Sequence, residues 1–197
     1  MASPSARMAA IVLAGGEARR FGGDKLAAEI DGRALVDHAL DGLPADCLVA
    51  VVGPVRPLGR GVTFLREDPP GGGPAAALIT GLIWALTSDV RTIVTLPGDA
   101  PGAGRAAQLL VEELGRQDHV AVVGVDGSGR DQVLQLALRP AAARLLVDLA
   151  GPDRGHDQSV RRLVTTLTSG RLALPDDLCA DIDTVGQLKD FRNLRRT

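Results

Sequence analysis

Residues 9–25 read AAIVLAGGEARRFGGDK, an unbroken apolar run followed at once by a loop with four glycines and three basic residues. The apolar run has the length of a strand, and a strand without polar positions is typical of a parallel sheet covered on both faces. Ligands of such sheets bind beyond the carboxyl ends of the strands. The stretch therefore predicts a buried parallel strand that carries the loop 14–25 into a binding site.

The loop has the composition of a phosphate-binding segment. Glycines let backbone N–H groups approach phosphate oxygens without a Cβ in the way, and Arg19, Arg20 and Lys25 can neutralise a triphosphate. The loop contains neither a Walker A sequence nor a G-x-G-x-x-G fingerprint, which argues against a P-loop kinase and a dinucleotide-binding dehydrogenase. The alternative is a glycine loop with solvated arginines, and its position at a strand end argues against that.

Strand-like and helical patterns alternate along the rest of the chain. The strand-like runs fall at residues 47–52, 62–65, 91–96, 119–125, 133–138 and near 179–182. The helical patterns fall at residues 34–43, 75–87, 104–115, 140–149, 158–166 and 184–193, with Gly115 as a C-cap. This order predicts an α/β fold with a mostly parallel, twisted sheet and helices on both faces. The strands at 119–125 and 133–138 have no helix between them, which predicts a small antiparallel part. We expect one domain over residues 8–197, preceded by a flexible N-terminus at residues 1–7.

Composition excludes several classes of partner. The net charge is −2 and aromatic residues make up 2% of the chain, whereas nucleic-acid binders show a basic face and often stacking aromatics. No apolar run approaches the ~20 residues of a membrane span, and residues 8–14 are short for a signal peptide. Cys47 and Cys179 have no metal-ligand partner nearby in sequence. Two free thiols are typical of a reducing compartment, with one disulfide as the alternative. We expect a cytoplasmic protein with no nucleic-acid or membrane partner.

Several segments together resemble one family. Leu13-Ala14-Gly15-Gly16, then Arg19-Arg20-Phe21-Gly22 and Asp24-Lys25, is similar to the signature of the molybdenum cofactor guanylyltransferase (MobA-like) family of nucleotidyltransferases. The resemblance continues in the acidic and glycine-rich residues 67–74, in residues 96–101 around Asp99, and in residues 181–184. It implies a single-domain, Rossmann-like nucleotidyltransferase fold.

The resemblance also implies roles for individual residues in nucleotide binding. The implied nucleotide-binding residues are Leu13, Ala14, Gly15, Gly16, Arg19, Lys25, Asp68 and Asp99. The first four would hold base and ribose through backbone groups, and Asp68 would lie near the base or ribose. Arg20 and Lys25 would hold phosphates, and both are candidate catalytic residues together with Asp99. Lys25 would stabilise charge on the α-phosphorus.

Three aspartates are the candidate Mg²⁺ ligands. Asp99 follows an apolar strand, and Mg²⁺ prefers one or two carboxylates together with phosphates and waters. Asp181 and Asp183 alternate along an extended segment, so both carboxylates can point to one side. Two neighbouring carboxylates repel each other unless a cation lies between them. A turn or a helix N-cap is the alternative role for these aspartates.

The acceptor side is predicted from two further segments. The turn at residues 126–132 contributes Asp131 and Gln132, and residues 155–162 contribute Arg161, which would reach an acceptor phosphate. A solvated helix face is the alternative for Arg161. A phosphate monoester is already ionised at neutral pH, so its attack on the α-phosphorus requires positioning and charge neutralisation but no protein base. The three histidines have no evident Ser or Cys partner, which argues against a hydrolytic triad.

Three functional hypotheses follow. The sequence Gly15-Gly16 favours guanine, since GTP-using relatives carry Leu-Ala-Gly-Gly and cytidylyltransferase relatives carry Leu-Ala-Ala-Gly. The first hypothesis is Mg²⁺-dependent transfer of GMP from GTP to molybdopterin, with transient contacts to molybdenum cofactor maturation proteins. The second is a nucleotidyltransferase for another substrate, such as CTP or a sugar or alditol phosphate. The third is a non-catalytic nucleotide-binding paralogue, which is kept open by Val133 and Val185, because relatives carry proline at these positions.

Overall fold

A computed structural model describes residues 8–15, 24–167 and 169–194. Of the predicted site residues, Gly16, Arg19 and Arg20 lie outside the described residues, as does the expected N-terminal segment 1–7. Within the described ranges, no helix is both long enough and apolar enough to cross a membrane.

One large sheet and one small hairpin make up the β-structure. The strands of the large sheet are β1 (Met8–Leu13), β4 (Leu48–Val52), β5 (Thr63–Leu65), β6 (Thr92–Pro97), β7 (Ala121–Val125), β8 (Asp131–Leu138) and β9 (Gly170–Ala173). The hairpin strands are β2 (Glu29–Ile30) and β3 (Arg33–Ala34). The large sheet has the order β5-β4-β1-β6-β8-β7-β9, and among these described strands only β8 runs antiparallel to its neighbours. The prediction of a mostly parallel sheet with a small antiparallel part is confirmed.

Helices cover both faces of the sheet. They are α1 (Leu35–Ala39), α2 (Gly73–Leu86), α3 (Ala103–Arg116), α4 (Pro140–Ala150), α5 (Val160–Val164), α6 (Asp176–Cys179) and α7 (Val185–Leu194). On β1, Ala10 and Val12 face a core shared with α1 and α3, whereas Ala9 and Ile11 face a core shared with α2, α4 and α5. All four side chains are fully buried, which is why β1 contains no polar position. Burial of a large aliphatic side chain such as Val12 or Ile11 contributes about 1.5–3 kcal/mol.

The helix α2 approaches β1 closely because of Gly81. A Cβ at Gly81 would lie 2.2 Å from Cγ2 of Ile11, far inside contact distance. The absence of a side chain therefore lets the helix backbone rest directly on the central strand. This contact fixes the amino end of α2, at Gly73, on the edge of the sheet where the parallel strands end.

Two local predictions are wrong, and one strand was not predicted. The strand expected near residues 179–182 is not present: α6 ends at Cys179, and the N–H of Ile182 donates to the carbonyl of Asp99 (2.9 Å), so this segment joins a loop and not a sheet edge. The strand β9 was not predicted, because the short sequence GRLA is half polar. Gly115 lies inside α3, which ends in extended backbone at Gln117 and needs no left-handed glycine.

Tight contacts join the carboxyl ends of the three central parallel strands. The N–H of Ala14 donates to the carbonyl of Val52 (2.9 Å), and the N–H of Gly98 donates to that of Leu13 (3.0 Å). Gly53 makes this approach possible, since a Cβ there would lie 2.4 Å from the carbonyl oxygen of Ala14. The segments that follow β1, β4 and β6 therefore begin next to one another at the same edge of the sheet.

Candidate active site

Lys25 is held at this edge by a short 3-10 turn, Lys25–Ala27. The carboxylate of Asp24 begins the turn by accepting a hydrogen bond from the N–H of Leu26 (3.1 Å). The Leu26 side chain is buried in the core beside α1. Asp24 before Lys25 and Leu26 after it therefore hold the turn in place. The ammonium group of Lys25 projects toward the loop that follows β6.

The ammonium group of Lys25 binds two of the predicted aspartates. Its Nζ donates to Oδ2 of Asp99 and to Oδ1 of Asp183, each at 2.9 Å. The lysine side chain is 13% exposed, so the contacts are partly shielded from water. Burial lowers the pKa of Lys25, but the hydrogen bonds to Asp183 and Asp99 outweigh it and hold the pKa above its usual value. Lys25 is therefore a cation at neutral pH.

Three carboxylates lie together around this cation. Oxygen atoms of Asp99, Asp181 and Asp183 all lie within 4.8 Å of one another. Although Asp181 keeps much exposed surface, partial burial raises the pKa of its carboxyl group, and the charges of Asp183 and Asp99 raise it further. One ammonium does not balance three carboxylates. The cluster therefore has the oxygen donors and the excess negative charge that suit a divalent cation.

Asp183 is not the N-cap of α7. The hydroxyl of Thr184 accepts from the N–H of Gln187 (3.2 Å), and Oε1 of Gln187 accepts from the N–H groups of Thr184 and Asp183 (both 2.9 Å). This reciprocal arrangement is a capping box. The residues Thr184 and Gln187 thus satisfy the helix end, and the Asp183 carboxylate remains available to Lys25.

The acidic cluster borders a cleft of about 620 Å³. Asp99 and Asp181 line one side of it, and the predicted acceptor residues Asp131, Gln132 and Arg161 line another. These residues come from four separate parts of the chain, since only Asp131 and Gln132 are neighbours in sequence. The cleft has room for a small-molecule ligand next to the candidate metal site.

Hydrogen bonds hold the residues that were predicted to bind the acceptor. The Nε2 of Gln132 donates to the carboxylate of Asp126 (2.7 Å), and Arg161 donates to the carbonyl of Asp131 (3.2 Å). The carboxylate of Asp131 accepts from Nε of Arg171 (2.9 Å). The side chain of Asp131 is thus bound to Arg171 of β9, while Gln132 and Arg161 line the cleft.

The predicted nucleotide-binding residues follow different strands at one edge of the sheet. Leu13, Ala14 and Gly15 follow one another at the end of β1, directly beside the loop that carries Asp99. Asp68 is exposed in the loop after β5, at the sheet edge. Three strand spacings, roughly 14 Å, separate the ends of β5 and β6. Asp68 thus follows the outermost of these strands, on the same edge of the sheet as the Lys25 cluster.

Arg56 was not predicted from the sequence. This residue lies in the loop after β4, is 7% exposed, and its guanidinium group binds the carboxylate of Asp24 (shortest distance 3.0 Å). The sequence offered one signal for this residue, because a basic residue just beyond the carboxyl end of β4 lies near the predicted binding site. Its burial could not be inferred from the surrounding glycines and prolines.

Both cysteines are free thiols, so the alternative of a disulfide is wrong for this structure. Burial raises the pKa of Cys47 to about 11. Burial and the charges of Asp126, Asp176 and Asp177 raise the pKa of Cys179, which lines the cleft, to about 11 as well. Neither thiol is activated as a nucleophile at neutral pH.

Comparisons with known proteins identify the family of this chain. The family model described as MobA-like NTP transferase domain matches residues 10–170. A molybdenum cofactor guanylyltransferase from Acidiphilium cryptum (strain JF-5) is 34% identical over 137 residues, covering 62% of this chain and 70% of that protein. A molybdenum cofactor guanylyltransferase from Rhodopseudomonas palustris (strain BisB5) is 36% identical over 151 residues, covering 71% of this chain and 69% of that protein.

Solved structures share the fold. Molybdopterin-guanine dinucleotide biosynthesis protein A from Archaeoglobus fulgidus superposes with a TM-score of 0.67 at 16% identity, covering 95% of this chain and 98% of that one. The resemblance seen in the sequence is thereby confirmed by the family model, by relatives and by the fold. The chain belongs to the MobA-like family of nucleotidyltransferases.

Proposed function

We propose that the chain transfers GMP from GTP to the phosphate of molybdopterin and releases pyrophosphate. The observation that carries the proposal is the cluster of Lys25 with Asp99, Asp181 and Asp183 beside a cleft lined by polar side chains. The relatives named molybdenum cofactor guanylyltransferase support the choice of GTP and molybdopterin.

The nucleotide would lie over the carboxyl end of β1. Backbone groups of Leu13, Ala14 and Gly15 would hold its base and ribose, as the family resemblance implies. Lys25 would contact the phosphates, and Gly16, Arg19 and Arg20 are proposed to complete this half of the site. Asp68, in the loop after β5, is proposed to lie near the base or ribose.

Nucleotidyltransferases of this family generally use a divalent metal ion. Here the converging carboxylates of Asp99, Asp181 and Asp183 provide an oxygen donor set that fits Mg²⁺. When bound, the ion would neutralise phosphate charge and orient the triphosphate. Lys25 would then be freed in part from Asp99 and Asp183 to face the phosphates.

The transfer step requires no protein base. An ionised oxygen of the acceptor phosphate forms a bond to the α-phosphorus, and the bond from the α-phosphorus to the bridging oxygen breaks in line. The electron pair leaves with pyrophosphate. Lys25 stabilises the charge that develops on the α-phosphoryl oxygens, and Arg161 and Gln132 position the acceptor in the cleft.

Calorimetric titration with GTP, CTP, ATP and UTP, each with and without Mg²⁺, tests the nucleotide part. We expect Mg²⁺-dependent binding with a clear preference for GTP. Preference for CTP or another nucleotide would overturn the choice of GTP. An absence of binding would favour a non-catalytic paralogue.

A pyrophosphate-release assay with GTP and molybdopterin tests the transfer itself. The matched variant is Asp99→Asn, which keeps the size of the side chain but removes its charge. We expect it to lose turnover while it retains much of its affinity for GTP. Pyrophosphate release that continues unchanged in this variant would contradict the proposed site.

Two further expectations remain predictions. They are a cytoplasmic location and transient contacts with molybdenum cofactor maturation proteins. Affinity purification of the tagged chain from cells grown with molybdate checks the contacts. Failure to recover any such protein after cross-linking would count against them.

A further inference from the structure

Arg56 is a buried arginine that no part of the proposed transfer step uses. It lies in the loop after β4, and its side chain is 5% exposed. Its guanidinium group donates three hydrogen bonds to the carboxylate of Asp24, at 3.0, 3.3 and 3.3 Å. A fourth bond, at 3.4 Å, goes to the carbonyl of Ala14.

Such a group is costly to bury without a function. Taking a guanidinium out of water carries a large desolvation cost, and close hydrogen-bonded pairing offsets it. The carboxylate partner Asp24 is 47% exposed, so a surface ion pair could have formed without burying Arg56. The buried position gives the guanidinium fork one orientation, which reaches both the end of β1 and the start of the Lys25 turn.

Asp24 connects Arg56 to the turn that carries Lys25. While Arg56 binds both carboxylate oxygens, Oδ1 of Asp24 also accepts the hydrogen bond from Leu26 that begins the 3-10 turn. Lys25 lies between these two residues and reaches Asp99 and Asp183 from that turn. A continuous set of contacts therefore runs from Arg56 through Asp24 to the ammonium group of Lys25.

We infer that Arg56 is a positioning residue, which sets the direction of Lys25 by holding Asp24 and the end of β1 in one fixed relation. The inference rests on the proposed function in one respect, namely that Lys25 acts on the phosphates. Among the described residues, the hydrogen bonds of Arg56 go to Asp24 and Ala14, and neither Asp99 nor a residue lining the cleft is a partner. A lysine in its place would keep the charge but would not reproduce the two-pronged contact.

Arg60 provides a matched control. It lies in the same loop and donates to the carbonyls of Pro44 and Cys47, at 3.1 and 3.2 Å, away from the Lys25 turn. If Arg56 merely held the loop in place, Arg56→Lys and Arg60→Lys would have similar effects. If Arg56 directs Lys25, only Arg56→Lys would change the order of the Lys25 side chain.

The first measurement observes the lysine directly and needs no turnover. The chain contains only two lysines, Lys25 and Lys189, and Lys189 is exposed on α7. In protein labelled with ¹³Cε-lysine, relaxation at one fixed pH gives a side-chain order parameter for each. We expect the value for Lys25 to fall toward that of Lys189 in Arg56→Lys and in Asp24→Asn, but not in Arg60→Lys. An unchanged Lys25 order parameter in Arg56→Lys would overturn the inference.

The second measurement is the split between kcat and KM in the pyrophosphate-release assay. Misplacing a group that acts on the transition state lowers kcat with little change in KM. We expect a loss of about tenfold to a hundredfold in kcat for Arg56→Lys, with KM for GTP changed less than about threefold. The double variant Arg56→Lys/Asp24→Asn should lose no more than the worse single variant, because both act through one contact.

The two measurements distinguish failure of this inference from failure of the proposed function. Wild-type protein that releases no pyrophosphate would overturn the proposed function, while the order parameters would still decide the role of Arg56. Full kcat in Arg56→Lys, additive losses in the double variant, or an equal loss in Arg60→Lys would overturn the positioning role. A melting temperature for each variant confirms that folded protein is compared.

Discussion

At the scale of single residues, the site is a balance of unlike charges. One ammonium group, that of Lys25, neutralises part of the charge of three neighbouring carboxylates. The repulsion that remains is a cost to the free protein, and a bound divalent cation would remove it. Removing one of the three carboxylates is therefore expected to stabilise the free protein and to weaken its function.

Replacing Lys25 by methionine removes the cation but keeps the length of the side chain. We expect kcat to fall about a hundredfold or more, since a positioned charge that stabilises the transition state contributes on this scale. Steady-state pyrophosphate release measures it. The control is Lys189→Met, which removes the other lysine and should leave kcat unchanged. Comparable losses in both variants would contradict the assignment.

Replacing Asp181 by asparagine should separate stability from function. Partial burial and the charges of Asp183 and Asp99 hold the pKa of Asp181 above its usual value, so its ionised form is disfavoured in the folded state. Asparagine removes this repulsion. Because solvent screens the exposed carboxyl group, we expect a gain in unfolding free energy of less than about 1 kcal/mol in metal-free urea denaturation. Mg²⁺-dependent affinity for GTP should fall. A variant that is less stable and binds GTP normally would refute this.

Cys47 should be inert near neutral pH. Its pKa of about 11 means that only about one thiol in a thousand is ionised at pH 8. We expect slow reaction of Cys47 with Ellman's reagent in the native protein, fast reaction in denaturant, and a rate that increases as the pH is raised. The variant Cys179→Ser isolates the signal of Cys47. Rapid native labelling of Cys47 at pH 8 would be inconsistent with its buried position.

At the scale of elements, the glycines of the helices have two different roles. Gly81 in α2 lies against Ile11 of β1, whereas Gly115 in α3 is exposed, and a Cβ added there would meet no described atom of another element within 4 Å. The first glycine permits a close contact between a helix and the central strand. The second interrupts a good helix sequence without packing against any described part of another element.

The two glycines give a paired prediction for stability. We expect Gly81→Ala to lower the free energy of unfolding by about 1–3 kcal/mol, because the added methyl group clashes with Ile11. We expect Gly115→Ala to raise it by about 0.5–1 kcal/mol through helix propensity. Urea denaturation of both variants checks the signs. A loss of stability in Gly115→Ala, or no loss in Gly81→Ala, would show that the packing is different.

At the scale of the whole molecule, predictability follows how strongly a segment is buried. The strands β1, β4 and β6 are apolar over most of their length because both sheet faces are covered, so their sequences predict them directly. The strand β9 and the helix α6 are only four residues each, and their conformation depends on tertiary contacts.

The candidate site was predictable to different degrees. Asp99 follows a recognisable strand, and the alternation of Asp181 and Asp183 indicated a common direction, which the structure shows. The pairing of Asp131 with Arg171, and of Asp24 with Arg56, joins residues far apart in sequence. Such pairs depend on the conformation of the loops in the folded protein, and the local hydrophobic periodicity of the sequence does not predict it.

The reversed direction of β8 has a consequence for how this kind of enzyme can diversify. Because β8 runs against its neighbours, its first residues reach the active edge, and a short hairpin at residues 126–130 connects it to β7. The proposed acceptor residues Asp131 and Gln132 thus belong to a hairpin that is separate in sequence from the segments that carry Gly15 and Asp99. Under the proposed function, a change in hairpin length would reshape the acceptor side of the cleft without altering the nucleotide side, so related enzymes could change their acceptor and keep the same nucleotide donor.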